Sequence, residues 1–150
     1  MTLRALSTVA VLASLLAAPV MAQTQAMCAN LGESDQWPKE REAVAAAPKN
    51  HRVVYESSEI RVLEVTVLPG EREQPHRHQW PSVMVVDSRP QYVNYDKDGK
   101  VYTSSVQAQQ TVETPLMVRL PAQAEHAIQN IGDKPFHAVR IEYKKLCVNP

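Results

Sequence analysis

The sequence predicts an all-β sandwich or barrel that is preceded by one short helix and a secretory signal peptide. After residue 50, eight short runs rich in valine, isoleucine, threonine and tyrosine follow one another without a helical pattern between them. Turn residues separate the runs, notably at 69–70, 96–99 and 132–135. The chain has 150 residues, of which 44% are apolar, so it is long enough for one domain with a buried core.

The first 22 residues have the pattern of a cleaved secretory signal peptide. Arg4 precedes an apolar stretch at 9–20, and small residues allow cleavage after Ala22. A membrane anchor is the alternative interpretation, but the apolar stretch is shorter than the roughly 20 residues that a spanning helix needs. We therefore expect a periplasmic or secreted protein that has no membrane contact after cleavage.

The charge of the chain gives no sign of a polyanionic partner. Sixteen basic and sixteen acidic residues leave a formal net charge of zero. Nucleic acids and anionic membrane surfaces attract proteins that carry a basic excess. We therefore expect a small-molecule ligand or substrate and no nucleic acid.

Two cysteines stand near the ends of the mature chain, at Cys28 and Cys147. An exported protein folds where disulfides persist, so these cysteines are predicted to form a bond between the termini. Two unpaired structural thiols are the alternative.

Residues 23–50 are predicted to be an N-terminal extension that contains one short helix. In "SDQWPKEREAVAAAP", capping residues and Pro38 mark the start of the helix and Pro48 marks its end. Residues 51–150 are predicted to form the β-barrel domain.

Three histidines are candidate metal ligands. In "VLPGEREQPHRHQWPSVMVVDS", His76 and His78 are one residue apart and point to the same side of a strand. His126 begins another predicted strand. Three imidazoles from two strands can form a facial site with open coordination positions. A chance His-x-His pair at the surface is the alternative.

The spacing around these histidines resembles the two sequence motifs of the cupin superfamily. Gly70, five residues, His76, Arg77 and His78 match the first motif, while Pro121, His126 and Asn130 match the second. The run "HQWPSVMVVDSRPQYVNYD" is similar to that of a group of small exported, uncharacterised cupins. The resemblance implies a double-stranded jelly-roll barrel, a divalent metal ion held near its interior, and assembly as a homodimer.

The sequence departs from the cupin pattern at the usual glutamate ligand. The spacing places Ser82 or Val83 there, and Gln123 replaces a glycine of the second motif. Three neutral ligands would leave a divalent Fe, Mn, Zn, Ni or Cu ion with open positions for an anionic substrate. Some cupin oxygenases, including thiol dioxygenases, resemble this arrangement. The sequence therefore suggests a three-histidine oxygenase or lyase; a binding module without turnover is the alternative.

Five other residues have ionisable or aromatic side chains that such a site could use. His137 is predicted to face inward with an apolar strand face, and it and Tyr95 are candidates for groups that act beside the metal. Trp80 shares a face with the paired histidines and, with Ser82, is predicted to line the pocket. Glu64 is predicted to face solvent, and His51 is assigned no role.

Overall fold

The computed structural model describes residues 27–29, 34, 36–105 and 113–147. The predicted signal peptide at 1–22 lies outside these residues. None of the helices in the described ranges is long and apolar enough to cross a membrane.

The described residues form nine β-strands in two antiparallel sheets, which confirms the predicted all-β fold. The five-stranded sheet has the order β1-β2-β9-β4-β7, and the four-stranded sheet has the order β3-β8-β5-β6. The strands are β1 His51–Glu56, β2 Ile60–Val67, β3 His76–His78, β4 Ser82–Ser88, β5 Tyr92–Asp96, β6 Val101–Ser104, β7 Leu116–Leu120, β8 Gln123–Asn130 and β9 Phe136–Tyr143.

The predicted N-terminal helix is present but is divided into two short pieces. A turn of 3₁₀ helix spans Lys39–Arg41, and the α-helix α1 spans Ala43–Ala46. Glu42 has an extended backbone between them and caps α1, since its side chain accepts a hydrogen bond from the backbone N–H of Val44 (3.4 Å). Residues 47–50 connect α1 to β1, and the N–H of His51 donates to the carbonyl oxygen of Ala47 (3.1 Å).

The apolar core lies on one face of the five-stranded sheet. In β2, Leu63, Val65 and Val67 are buried while their neighbours are partly exposed, as the period of two in a strand requires. The core cluster is completed by Val86, Phe136 and Ala138. These side chains fill one part of the interior, and polar side chains occupy another.

A disulfide joins the two ends of the described chain. Cys28 and Cys147 are bonded, as their positions predicted, and their Cα atoms are 5.6 Å apart. The bond closes a loop with a sequence separation of 119 residues. On the chain-entropy model such a loop stabilises the folded state by about 4 to 5 kcal/mol.

Asn130 of the second cupin-like motif has a structural role. Its side-chain amide donates hydrogen bonds to the carbonyl oxygens of Val67 (2.8 Å) and Lys134 (2.7 Å), and its Oδ1 accepts one from the N–H of Gly132 (2.9 Å). A Cβ atom on Gly132 would lie 2.7 Å from Cβ of Pro90. The motif therefore fixes the turn between β8 and β9, and this turn sets the register of both strands.

Candidate metal centre

The three histidines of the cupin-like motifs lie side by side in the interior. His76 and His78 are on β3, and His126 is the cross-strand partner of His76 on β8. The ring centroid of His76 is 4.6 Å from that of His126 and 5.0 Å from that of His78. The structure thus brings together the three side chains that the sequence singled out, and their role as metal ligands remains a prediction.

A fourth histidine, His51, belongs to the same cluster and was missed by the sequence analysis. Its ring centroid lies 4.4 Å from that of His76 and 5.2 Å from that of His78. One potential ligand atom of each of these three histidines lies within 4.8 Å of the other two. Strand pairing is the signal that could have identified His51. It is opposite Val65 in the sheet, and Val65 is on the buried face of β2, so His51 points inward too.

Hydrogen bonds determine which ring nitrogen each histidine offers. In all four rings Nδ1 faces an acceptor oxygen, so Nδ1 carries the proton and Nε2 keeps its lone pair. The acceptors are the carbonyl oxygens of Ala47 for His51 (3.2 Å), Gln74 for His76 (2.9 Å) and Ala124 for His126 (2.8 Å), and Oε1 of Glu142 for His78 (2.8 Å). Histidines that bind metals are held by such contacts on the nitrogen that does not bind.

Burial keeps the four imidazoles neutral. Loss of solvation lowers the pKa of His51 to about 3 and that of His126 to about 4. Burial also lowers the pKa values of His76 and His78 well below the usual range. At neutral pH all four Nε2 atoms are therefore free of protons, which is the state that binds a metal ion.

A buried ion-pair network supports His78 from behind. Oε2 of Glu142 accepts a hydrogen bond from Nε of Arg61 (2.6 Å), while Nη2 of Arg61 donates to Glu42 (2.6 Å). Burial acts to lower the pKa of Arg61, but the two carboxylates outweigh this effect and raise it. Glu142 is thus held as an acceptor for Nδ1–H of His78, and this contact fixes the orientation of the ring.

Glu73 places a carboxyl group beside the cluster. Its Oε2 accepts a hydrogen bond from the N–H of Ile128 (2.9 Å), and its Oε1 has no hydrogen-bond partner among the described residues. Oε1 lies 3.9 Å from Nε2 of His51. Burial raises the pKa of Glu73 to about 7. Glu73 lines the same cavity as the histidines, so a carboxyl group lies near them that the sequence analysis did not single out; the expectation of three neutral histidine ligands remains a prediction.

The histidine cluster forms part of the wall of a cavity of about 340 Å³. The remaining wall is largely apolar and includes Val65, Met84, Leu116 and Phe136. Tyr102 also belongs to the wall and is 53% exposed, so the cavity reaches the protein surface on that side. This volume is at the lower end of the roughly 300 to 1,000 Å³ of small-molecule sites.

Ser82 is fully buried on β4, at the position of the usual cupin glutamate. It shares the inward face of the strand with Met84 and Val86, which line the cavity. Its own side chain is not part of the cavity wall, and its Oγ has no hydrogen-bond partner among the described residues. Ser82 is thus placed behind the wall, opposite its cross-strand partner Glu142.

The predicted inward orientation of His137 is wrong. In β9 the buried residues are Phe136, Ala138, Arg140 and Glu142, so His137 is on the outer face. Its Nδ1 is 2.6 Å from Oδ1 of Asp87, and this hydrogen bond raises its pKa. The apolar face of β9 points outward because the interior at this end is built from buried ion pairs. His137 is therefore not a candidate to act beside the metal.

Trp80 and Tyr95 do not line the cavity either. Strand β3 ends at His78, so the alternation that would place Trp80 beside the histidines stops before it, and Arg61 lies over its indole ring at 4.7 Å. In β5 the cavity-lining residues are Tyr92 and Asn94, so Tyr95 is on the opposite face of the strand. There the Tyr95 hydroxyl donates to Oε1 of Gln129 (2.7 Å).

The comparisons with known proteins identify the fold. No family model matches the chain, and no curated protein matches it in sequence. A cupin domain from Bordetella pertussis is similar in structure, with a TM-score of 0.51, 23% identity, and coverage of 63% of this chain and 91% of that one. An RmlC-like cupin from Methanocaldococcus jannaschii has a TM-score of 0.46 and 11% identity, covering 62% of this chain and 77% of its own. The likeness to the Bordetella pertussis domain shows that the chain has the cupin fold, the double-stranded jelly roll that its motifs implied.

Proposed function

We propose that the protein is an exported metal-binding cupin whose histidine cluster holds a divalent ion and whose cavity binds and transforms a small anionic molecule. The observation that carries the proposal is the set of four buried imidazoles whose Nδ1 atoms are all engaged. Their Nε2 atoms carry no proton at neutral pH, and the four rings line one cavity. Neutral imidazoles held through Nδ1 in this way are the usual ligands of a divalent ion.

The donor set favours a first-row transition metal. Imidazole nitrogens suit Fe, Zn, Ni and Cu, whereas Mn prefers oxygen ligands, and among these divalent ions copper binds most tightly. The carboxyl group of Glu73, next to His51, adds a possible oxygen donor. A protein that folds outside the cytoplasm takes its ion from that compartment, so we expect zinc or copper after simple exposure to mixed metals.

Two features favour an enzyme over a binding module without turnover. Trp80 does not line the cavity, so its side chain does not fill the space beside the histidines, and a small molecule has room there. Glu73 lies beside His51, and burial raises its pKa to about 7, which is the range that suits a general base at neutral pH. A bound metal ion would supply polarisation of that molecule and activation of water or dioxygen.

The metal proposal is tested by elemental mass analysis of protein folded in the periplasm. We expect about one metal ion per chain in the wild type and a large loss in His51→Ala and His76→Ala. His137→Ala is the matched control, because it removes a histidine on the outer face, and it should keep the wild-type content. Equal metal content in all four proteins, measured on folded samples, would refute the site.

A second experiment separates the enzyme from the binding module. The protein is loaded with Co²⁺, and its visible spectrum is recorded as azide is added. A ligand position that exchanges, as turnover requires, gives a spectral change that saturates with azide. An unchanged spectrum indicates a closed ligand shell and favours the binding module.

Export is tested separately, by sequencing the N-terminus of protein from the periplasmic fraction. Cleavage after Ala22 would leave Gln23 as the first residue. Protein that keeps Met1 and remains in the cytoplasm would refute this part of the proposal.

A further inference from the structure

Arg89 is an arginine of the cavity wall whose charge has no carboxylate partner. It follows β4, is partly exposed and lines the cavity. Its guanidinium lies over the ring of Tyr92 at 5.0 Å, and its Nη2 donates a hydrogen bond to the Tyr92 hydroxyl (2.7 Å). It forms no ion pair with any carboxylate in the part of the chain that the structure describes. Tyr92 thus holds in place a positive charge that the described residues do not neutralise.

The N–H groups of Arg89 are accessible, unlike those of the buried arginines. Arg61 is paired with Glu42 and Glu142, and the unpaired N–H groups of Arg140 are sealed from solvent. No nitrogen of Arg89 is among the buried atoms that lack a partner, so its Nε and Nη1, which bond to none of the described residues, are open to solvent. A guanidinium presents its N–H bonds in a rigid planar fork that fits the two oxygens of a carboxylate. Arg89 can therefore receive an anion from solution.

Strand register places Arg89 at the far end of the cavity from the histidine cluster. On β5, Tyr92 is opposite Asn130 of β8, whereas Asp96 is opposite His126. Tyr92 and Asp96 are four residues apart, which in a strand is about 13 Å. Arg89 is at the Tyr92 end because it is hydrogen-bonded to that side chain. A ligand that reaches both Arg89 and the histidines must therefore be elongated.

The rest of the cavity wall is largely apolar. It includes Met84, Val86, Leu116, Ile128 and Phe136. Ile128 is opposite Asn94, halfway between the levels of Tyr92 and His126. Apolar side chains around a cavity favour an apolar ligand body, since contact with it removes their surface from water.

We propose that the cavity binds an elongated apolar monocarboxylate, whose carboxylate pairs with Arg89 and whose other end points toward the histidine cluster. The inference deepens the proposed function and rests on its assignment of this cavity as the ligand site. It names the class of ligand, a carboxylate on a chain of several apolar carbon atoms, and it makes Arg89 the residue that selects for the charge. The part of the ligand next to the histidines is then remote from its carboxylate.

Octanoate and octanamide are suitable probes, because they have the same apolar chain and differ in the charge of one group. Their affinities are measured by calorimetry on the wild-type protein, in one sample loaded with Zn²⁺ and in one treated with chelator. In the chelator-treated sample we expect octanoate to bind at least about tenfold more tightly than octanamide, as a charge-assisted pair with an arginine implies. Butanoate should bind at least about tenfold more weakly than octanoate, because it covers less of the apolar wall. Equal binding in either comparison, or no binding of octanoate, would overturn the proposal without any variant.

Two matched variants then identify the residue. In chelator-treated protein, Arg89→Gln should reduce octanoate affinity at least about tenfold and leave octanamide affinity within about twofold. Arg52→Gln makes the same chemical change on the outer face of the five-stranded sheet, where the Arg52 side chain is 67% exposed, and should leave both affinities within about twofold. Unchanged octanoate affinity in Arg89→Gln, or an equal loss in Arg52→Gln, would overturn the assignment.

The two samples separate this inference from the metal proposal. If octanoate binds only when zinc is present and Arg89→Gln has no effect, the metal is the anion site and the role of Arg89 is refuted. If octanoate binding depends on Arg89 in a protein that holds no metal under any condition, the Arg89 inference stands and the metal proposal fails.

Discussion

Replacing Glu142 with glutamine should destabilise the protein strongly, because this carboxylate holds together the polar side of the interior. Glu142 is fully buried and contacts Arg61 at 2.6 Å and Nδ1 of His78 at 2.8 Å, with Nε of Arg140 at 3.5 Å. Glutamine keeps the shape of the side chain and one acceptor oxygen but removes the charge. Both arginines then remain buried with one anion fewer between them.

The expected loss follows from the cost of breaking a buried ion pair on one side, which is about 3 to 5 kcal/mol. Urea unfolding of the chelator-treated protein at pH 7, with the disulfide intact, measures this directly. With a denaturant dependence of about 1 to 3 kcal/mol per molar urea, the midpoint should fall by at least about 1 M. Metal affinity should also fall by about 10 to 100-fold, because His78 loses the charged group that orients it.

Glu64→Gln is the matched control for this experiment. Glu64 is on the outer face of β2, where it pairs with Arg52 at 2.6 Å and with His137 at 3.5 Å. These pairs are partly exposed to solvent and contribute little to stability. The midpoint should remain nearly unchanged. If Glu142→Gln shifts the urea midpoint no more than Glu64→Gln does, then the buried network does not stabilise the fold and the reasoning is wrong.

Three further predictions concern acid stability, the disulfide and the buried serine. The pKa of His51 is about 3 in the folded protein, so the unfolded state binds its proton first as the pH falls below about 6.5, and stability is lost in that range. In chelator-treated His51→Gln, the slope of unfolding free energy against pH between 6.5 and 4.5 should therefore be smaller by about 1.4 kcal/mol per pH unit. His137→Gln should leave the slope in that range nearly unchanged and should alter it, in the opposite direction, only above about pH 6.5, since the folded pKa of His137 is raised; a wild-type slope in His51→Gln would contradict this account. Cys28→Ser should lower the unfolding free energy by about 2 to 5 kcal/mol in urea titrations and leave metal content unchanged, whereas wild-type stability would show that the bond to Cys147 contributes nothing. Ser82→Ala removes a buried hydroxyl without a hydrogen-bond partner among the described residues, so it should raise the unfolding free energy by about 1 kcal/mol; a loss of that size would show that the hydroxyl has a partner.

Local patterns in the sequence were sufficient for the strands, the disulfide and most of the histidine cluster. The runs of β-branched residues and the turns at Gly70 and Gly99, both of which have positive φ angles, depend on properties of neighbouring residues alone. His76 and His78 share a face by the geometry of any strand. His126 was assigned to the same cluster from the spacing of the second cupin-like motif, and its pairing with His76 was shown only by the structure.

Orientation and long-range neighbours were decided only by the tertiary structure. Alternation divides β9 into two faces, but it does not say which one is inside, and apolar character pointed to the face of His137. The interior instead holds Arg140 and Glu142. Charged residues on other strands compensate the charges of these two side chains, so they can be buried.

The same reason explains the residues that the sequence analysis missed. His51 and Glu73 are unremarkable in their own segments and reach the cluster only because β1 pairs with β2 and the segment before β3 pairs with β8. Trp80 was misplaced because the chain leaves the strand after His78. The sequence by itself therefore determined which elements form and which residues share a face, whereas the packing of the two sheets decided which face became the interior, because that choice depends on partners that are distant along the chain.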